Sequence, residues 1–296
     1  MKFGTHYLIG INSFDYDPVK TIDNAARLGF DSLEIPFFDL MDGGEDKGLK
    51  IAEYAYKKGI QLVFVGGFPE DCDMLSEDEQ IRKNGIKYMH RLFPLMKKMN
   101  VDLLVGCHYT KWPTRREEPL SLDLKKKLFD RTVREYKIAT EPAGDYGVTC
   151  AIETLNRYEA FLLNCSEETA AFIDAVGNPY VKMHFDTFHM SIEENSITGA
   201  LETAGHRLAA LHLGERNRRF PGTGDLCWDD FFATLKKINY DGYMDLEAFI
   251  LPEGTSSAVL GVWRDLSYGA SKEEYDILHA NALIFMKEKS RQYGLI

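Results

Sequence analysis

The feature that most restricts the fold is an alternation. Eight short runs rich in β-branched and aromatic residues recur along the chain: "FGTHYLI" (3–9), "DSLEIPF" (31–37), "QLVFVGG" (61–67), "DLLVGCHY" (102–109), "VTCAIETL" (148–155), "VKMHFDTF" (181–188), "LAALHLGE" (208–215) and "YMDLEAF" (243–249). Longer amphipathic stretches follow them, at 19–28, 48–58, 78–99, 120–146, 167–175, 198–204, 228–238 and 272–289. Several of these stop at a glycine that ends the helix and turns the chain, as in "RLGFDSLEI", "KKGIQLVFV" and "DYGVTCAIE". Strand and helix alternating in this way call for parallel strands joined by crossover helices. Eight such units predict an α/β protein built as one closed (β/α)8 TIM barrel, an architecture that typically takes about 250 residues. An open doubly wound sheet is the alternative, but no Gly-rich phosphate turn opens any helix. No linker or change of composition divides residues 1–296, which predicts a single domain.

Composition then narrows the partners. The 46 acidic residues outnumber the 35 basic ones, for a formal charge of -11, and no basic stripe is present. Such a surface repels polyanions, so nucleic acid is excluded and a small molecule is expected. The five cysteines, Cys72, Cys107, Cys150, Cys165 and Cys227, form no Cys-x-x-Cys pair and read as reduced packing residues. The opening "MKFGTHYLIG" is too short for a secretory signal, and no long apolar stretch predicts a membrane span. The expected location is cytoplasmic.

In a barrel, functional groups sit at the C-terminal ends of strands and in the loops beyond them. Runs five to eight each end in an ionisable residue: Glu153, Asp186, His212 and Glu247, spaced 33, 26 and 35 residues apart, each about one βα unit. Equivalent points on four consecutive strands converge on one rim. Three carboxylates and one imidazole form a hard, oxygen-rich set suited to one divalent metal, Mn²⁺ before Co²⁺ or Mg²⁺. Without a cation the carboxylates would repel one another. Glu159, His189 and Arg218 stand in the loops just beyond these positions, where substrate contact is expected. Trp112 in "HYTKWP" either walls the pocket or packs. His6 on the first strand is a weaker substrate-side candidate, and Glu34 reads as a core or loop residue. "PGTGDLCW" (221–228) reads as a turn rather than a phosphate cradle.

These segments resemble the ketose 3-epimerases, the D-tagatose and D-allulose (psicose) 3-epimerase group of the sugar isomerase/epimerase TIM barrels. The resemblance rests on "ARLGFDSLEI", "IETLNRYEAFLLNC", "VKMHFDTFHMSIEENSITGAL", "HLGERNRRFPGTG", "INYDGYMDLEAF" and "VWRDLS". It is specific across the second half and mainly architectural in the first. It implies that Glu153, Asp186, His212 and Glu247 bind one metal, and that Glu159, His189 and Arg218 contact substrate oxygens. It further implies a homodimer or homotetramer. "LIGINSFDYDPV" and "GGFPEDCDM" depart from the family's loops after strands one and three, which shape the far end of the sugar site.

The implied chemistry is epimerisation of a free ketose at carbon 3 through a cis-enediolate, of the D-tagatose, D-allulose, D-fructose or L-ribulose type. Inversion needs an acid/base group on each face of the sugar, and the resemblance assigns that work to Glu153 and Glu247. An aldose–ketose isomerase, or a sugar lyase that forms an enolate on the same metal site, is the nearest alternative. A non-catalytic sugar-binding protein would not require three converging carboxylates.

Overall fold

The computed structural model describes residues 1–41 and 43–296. Eight parallel strands, β1 (Lys2–His6), β2 (Ser32–Pro36), β3 (Gln61–Val65), β4 (Leu103–Gly106), β5 (Thr149–Glu153), β6 (Val181–Asp186), β7 (Leu208–Leu213) and β8 (Tyr243–Leu246), pair in sequence order and close when β8 meets β1. The predicted TIM barrel is therefore the fold, and each strand ends before its apolar run does. The residues beyond each strand turn into the rim loops, and there side chains become available for chemistry.

Helix boundaries follow local chemistry. Asp17, Asp78 and Ser121 accept backbone N–H groups at helix starts, and Ser271 with Glu274 forms a reciprocal capping box. The helix expected over 120–146 is two helices, Leu122–Thr140 and Ala143–Tyr146. Pro142 stands between them, and a proline lacks the N–H a continuing helix needs. The short helix Thr187–Glu193 was not anticipated. It starts directly at the end of β6, with Asp186 as its cap.

Packing divides the interior in two. The larger apolar core lies between barrel and helices, with Phe64, Phe93, Phe172, Phe185 and Phe232 fully buried. A smaller cluster that includes Val63, Val65, Leu103, Val105, Ala151 and Ala210 fills part of the barrel. Other inward positions on β2, β6, β7 and β8 carry Ser32, Glu34, His184, Asp186, His212 and Asp245, all buried. Gly4 makes this polar half possible: a Cβ there would lie 1.5 Å from Asp245 Oδ1 and 2.2 Å from Ser32 Oγ, which hydrogen-bond to each other. Gly4→Ala is expected to cost about 2–3 kcal/mol through overpacking. Urea unfolding measures this, and an unchanged midpoint would contradict the packing.

Candidate active site

Register fixes the height of each polar side chain. Glu153 pairs with His184, Asp186 with His212, and His212 with Asp245. Strand tilt thus staggers Glu153, Asp186, His212 and Glu247 around the rim rather than leaving them level.

Asp186 is fully buried and spends one oxygen locally: Oδ1 accepts the Phe188 N–H at 2.8 Å, which starts the following helix. Its Oδ2 faces inward and accepts from Arg218 Nη1, which also donates to Glu247 Oε2. Arg218 holds a left-handed backbone, φ 64°, in the turn after β7, and its guanidinium lies 4.0 Å from the centre of the Phe188 ring. One cationic group thereby bridges two of the clustered carboxylates.

His212 is oriented from behind. A carboxylate only accepts, so its Nε2–H donates to Glu34, whose two oxygens lie 2.9 and 2.8 Å away. The other nitrogen, Nδ1, is buried without a hydrogen-bond partner, 3.7 Å from Glu153 Oε1 and 3.4 Å from Glu247 Oε2. Burial opposes charge on this ring, but Glu34 and then Glu247 outweigh it and hold its pKa well above the ordinary value. A carboxylate behind a ligating imidazole fixes the tautomer and ring plane, the arrangement that supports many metal sites. Two donors on one cation of this kind lie at most about 4.2 Å apart. The donor set, its spacing and the unsatisfied Nδ1 all fit a divalent cation.

The two glutamates differ in surroundings. Burial raises the pKa of Glu153, with His212 acting against it. At Glu247 burial acts in the same sense but is overcome by Arg218 and then His212, and the carboxyl is held well below its ordinary range.

A second group is organised by Asn156. Its side-chain amide donates to His189 Nδ1 at 2.6 Å and to Glu159 Oε1 at 3.0 Å, and Trp112 Nε1–H donates to Glu159 Oε2 at 3.0 Å. With Nδ1 accepting, His189 carries its proton on Nε2, 3.6 Å from Asp186 Oδ2 and 3.7 Å from Glu153 Oε1. Burial and then Arg218 hold its pKa well below the ordinary value, so the ring is neutral. His6 Nδ1 accepts the Leu8 N–H at 3.2 Å, and burial pulls its pKa down to about 4.

A cavity of about 450 Å³ opens above these residues. Glu153, Glu159, His189, Arg218, Glu247 and His6 form its polar end, while Phe14, Phe38, Phe68 and Leu260 line it elsewhere. Trp112 lines it too, so the residue both walls the pocket and holds Glu159. Asp186 and His212 are buried outside the cavity lining. The loop 221–228 wraps a protein carboxylate instead of a ligand: Glu215 accepts from the Gly222 and Leu226 N–H groups and from the Trp228 indole.

The residues expected at the site are therefore brought together. Two further participants had no assigned role: Asn156, and Glu34, which the sequence places as a core or loop residue. The signal for Glu34 was the one that marked Glu153, a carboxylate closing a short apolar run. Asn156 had no comparable signal, because its role depends on which loop groups it reaches.

Comparison with known proteins decides the kinship. The model of the xylose isomerase-like TIM barrel family matches residues 22–266. The D-psicose 3-epimerase of Enterocloster bolteae is 34% identical over 289 residues, 97% of this chain and 95% of that protein. That of Ruminiclostridium cellulolyticum is 35% identical over 292 residues, covering 97% of each. The chain belongs to the ketose 3-epimerases of the xylose isomerase-like TIM barrels. A crystal structure of D-psicose 3-epimerase with D-tagatose from Clostridium cellulolyticum H10 superposes with a TM-score of 0.92 at 34% identity, covering 97% of this chain and 99% of that one. As a ketose 3-epimerase relative, this chain brings Glu153, His189, Arg218 and Glu247, from β5 and the segments that follow β6, β7 and β8, into one cavity together with His6 of β1. Among the described residues no helix is long and apolar enough to cross a membrane.

Proposed function

We propose that this protein epimerises a free ketose at carbon 3, with Glu153 and Glu247 as the acid/base pair. The observation that carries this is the placement of two glutamates, from β5 and from the end of β8, in one cavity and 3.7 and 3.4 Å from the same His212 Nδ1. Inversion requires one group to take the carbon 3 proton and another to return a proton to the opposite face. Isomerisation between aldose and ketose needs only one such face.

The environments set the starting states apart. Arg218 touches Glu247 and not Glu153, so Glu247 is the better base and Glu153 the better acid. In the reverse direction the roles exchange. Glu153, Asp186, His212 and Glu247 would hold a divalent cation, Mn²⁺ first by the oxygen-rich donor set, which when bound polarises the ketone and stabilises the charge of the cis-enediolate. The neutral His189 offers Nε2–H to a sugar oxygen, and Glu159, braced by Asn156 and Trp112, accepts from a sugar hydroxyl. Arg218, buried against Phe188, adds a fixed positive charge near the developing oxyanion.

The rest of the cavity favours an unphosphorylated sugar. Apart from Arg218, which is engaged by carboxylates, no lysine or arginine lines it among the described residues. A phosphate there would lose its hydration without gaining a cationic partner.

The test is incubation with Mn²⁺ and a panel of free ketoses and ketose phosphates in D₂O, with products resolved by chromatography and deuterium located by NMR. Epimers labelled at carbon 3 are expected, with turnover from the free sugars alone, lost in EDTA and restored by Mn²⁺ or Co²⁺. Aldose products, or activity indifferent to EDTA, would overturn the proposal.

A further inference from the structure

His184 stands outside the four-residue cluster and outside the cavity, and neither the acid/base pair nor the sugar contacts use it. It lies on β6 two residues before Asp186, so it points into the barrel one layer deeper. It is fully buried, and both of its ring nitrogens lack a hydrogen-bond partner. A buried imidazole with neither nitrogen satisfied is costly, and proteins keep such groups where they serve a ligand or a reaction.

Its surroundings say what the ligand would be. His184 Nδ1 lies 4.0 Å from Glu153 Oε2, and its ring packs edge-on against His212 with centroids 4.1 Å apart. Glu153, His184 and His212 each present one ligand atom, all within 4.8 Å of one another. A second such group is formed by Asp186, His212 and Glu247. The neighbouring inward positions on β5 and β7 are Ala151 and Ala210, both buried.

We infer that Glu153, His184 and His212 form a second, nitrogen-rich cation position beneath the oxygen-rich one, and that it takes borderline metals such as Zn²⁺. Two imidazoles and one carboxylate suit Zn²⁺ better than Mn²⁺, which prefers oxygen donors. The two positions share His212, whose Nε2 is committed to Glu34, so only Nδ1 is available to either cation. Occupation is therefore mutually exclusive. Zn²⁺ in the lower position would withdraw Glu153 and His212 from the upper one, and so would act as a competitive inhibitor with respect to Mn²⁺. This inference rests on the metal site proposed above for the epimerase.

The experiment compares the wild-type protein with His184→Leu, which fills the same space and removes the two unsatisfied nitrogens. Chelator competition gives the affinities for Zn²⁺ and Mn²⁺. Zn²⁺ affinity is expected to fall at least tenfold in the variant while Mn²⁺ affinity changes less than threefold, and circular dichroism checks that the variant is folded. Zn²⁺ K-edge X-ray absorption of the wild-type protein supplies a second readout that needs no variant: two imidazoles are expected in the coordination shell. One imidazole, or equal changes for both metals, would overturn the inference. Wild-type turnover with Mn²⁺ is recorded alongside, so that failure of the epimerase reading is seen separately: that reading fails without Mn²⁺-supported turnover, whatever the imidazole count.

Discussion

Glu247→Gln is expected to lower kcat/KM on the preferred ketose by about 10³-fold or more, and Glu153→Gln by a comparable factor, within the range general acid/base groups supply. Gln keeps the size of the side chain and one oxygen donor, so the substitution removes proton transfer while disturbing the cluster least. The two variants should nevertheless differ. A protein that retains only one of the glutamates can exchange the carbon 3 proton of the epimer whose hydrogen faces it, without delivering a proton to the other side. In D₂O each variant should then label one epimer and convert neither, and the labelled epimer should switch between variants. Arg218 is the source of the difference in ground state, since it donates to Glu247 but not to Glu153. Substantial inversion by either variant would remove that glutamate from the pair, and metal content measured in parallel separates a lost acid/base group from a lost ligand.

What the sequence revealed depended on whether a feature was local or relational. The barrel was legible because each strand had to bury an apolar face and each helix carried its own stop signal. The helix break at Pro142 was missed although its signal is local, since proline removes a specific N–H. The rim cluster was legible because Glu153, Asp186, His212 and Glu247 all follow apolar runs at one-unit spacing. Glu34 shows the limit. On its own strand it resembles any buried carboxylate, and its role comes from His212, which is brought 2.8 Å away only by barrel closure. Asn156 was silent for the same reason: its two acceptors, His189 and Glu159, lie on different segments. His184 sits inside a strand and had no assigned role, and only the structure shows that nothing satisfies its nitrogens.

The pH dependence that a neutral, buried His279 adds to stability in mild acid is the second large effect. This residue sits on the final helix, Lys272–Gln292, where its Nε2 meets Thr5 Oγ1 at 2.9 Å and its ring lies between Phe30 and Phe220. Burial, with a smaller contribution from Arg27, lowers its pKa to about 3. His108, hydrogen-bonded to Tyr136 and to the Ala151 carbonyl, is lowered by burial to about 4. In the unfolded chain both titrate near about 6.5. The folded state therefore stays neutral while the unfolded state takes up protons, so stability is fully present above about pH 6.5 and is lost as pH falls toward the folded-state values. Each ring that stays neutral contributes a slope of about 1.4 kcal/mol per pH unit in that window. Asp186, Asp245 and Glu153 work in the opposite sense, because burial raises their pKa values and lets the folded state bind protons first. The total slope thus mixes signs, and a difference between two proteins is the cleaner measurement. His279→Gln keeps a partner for Thr5 and removes one titration. Urea unfolding from pH 7.5 to 4.5 should show the variant gaining on the wild type by about 1.4 kcal/mol per pH unit below about 6.5, and parallel curves would contradict a neutral buried His279. Since Thr5 immediately precedes His6 at the cavity, release of this helix from β1 also opens the site, and activity in acid should disappear together with the folded circular dichroism signal.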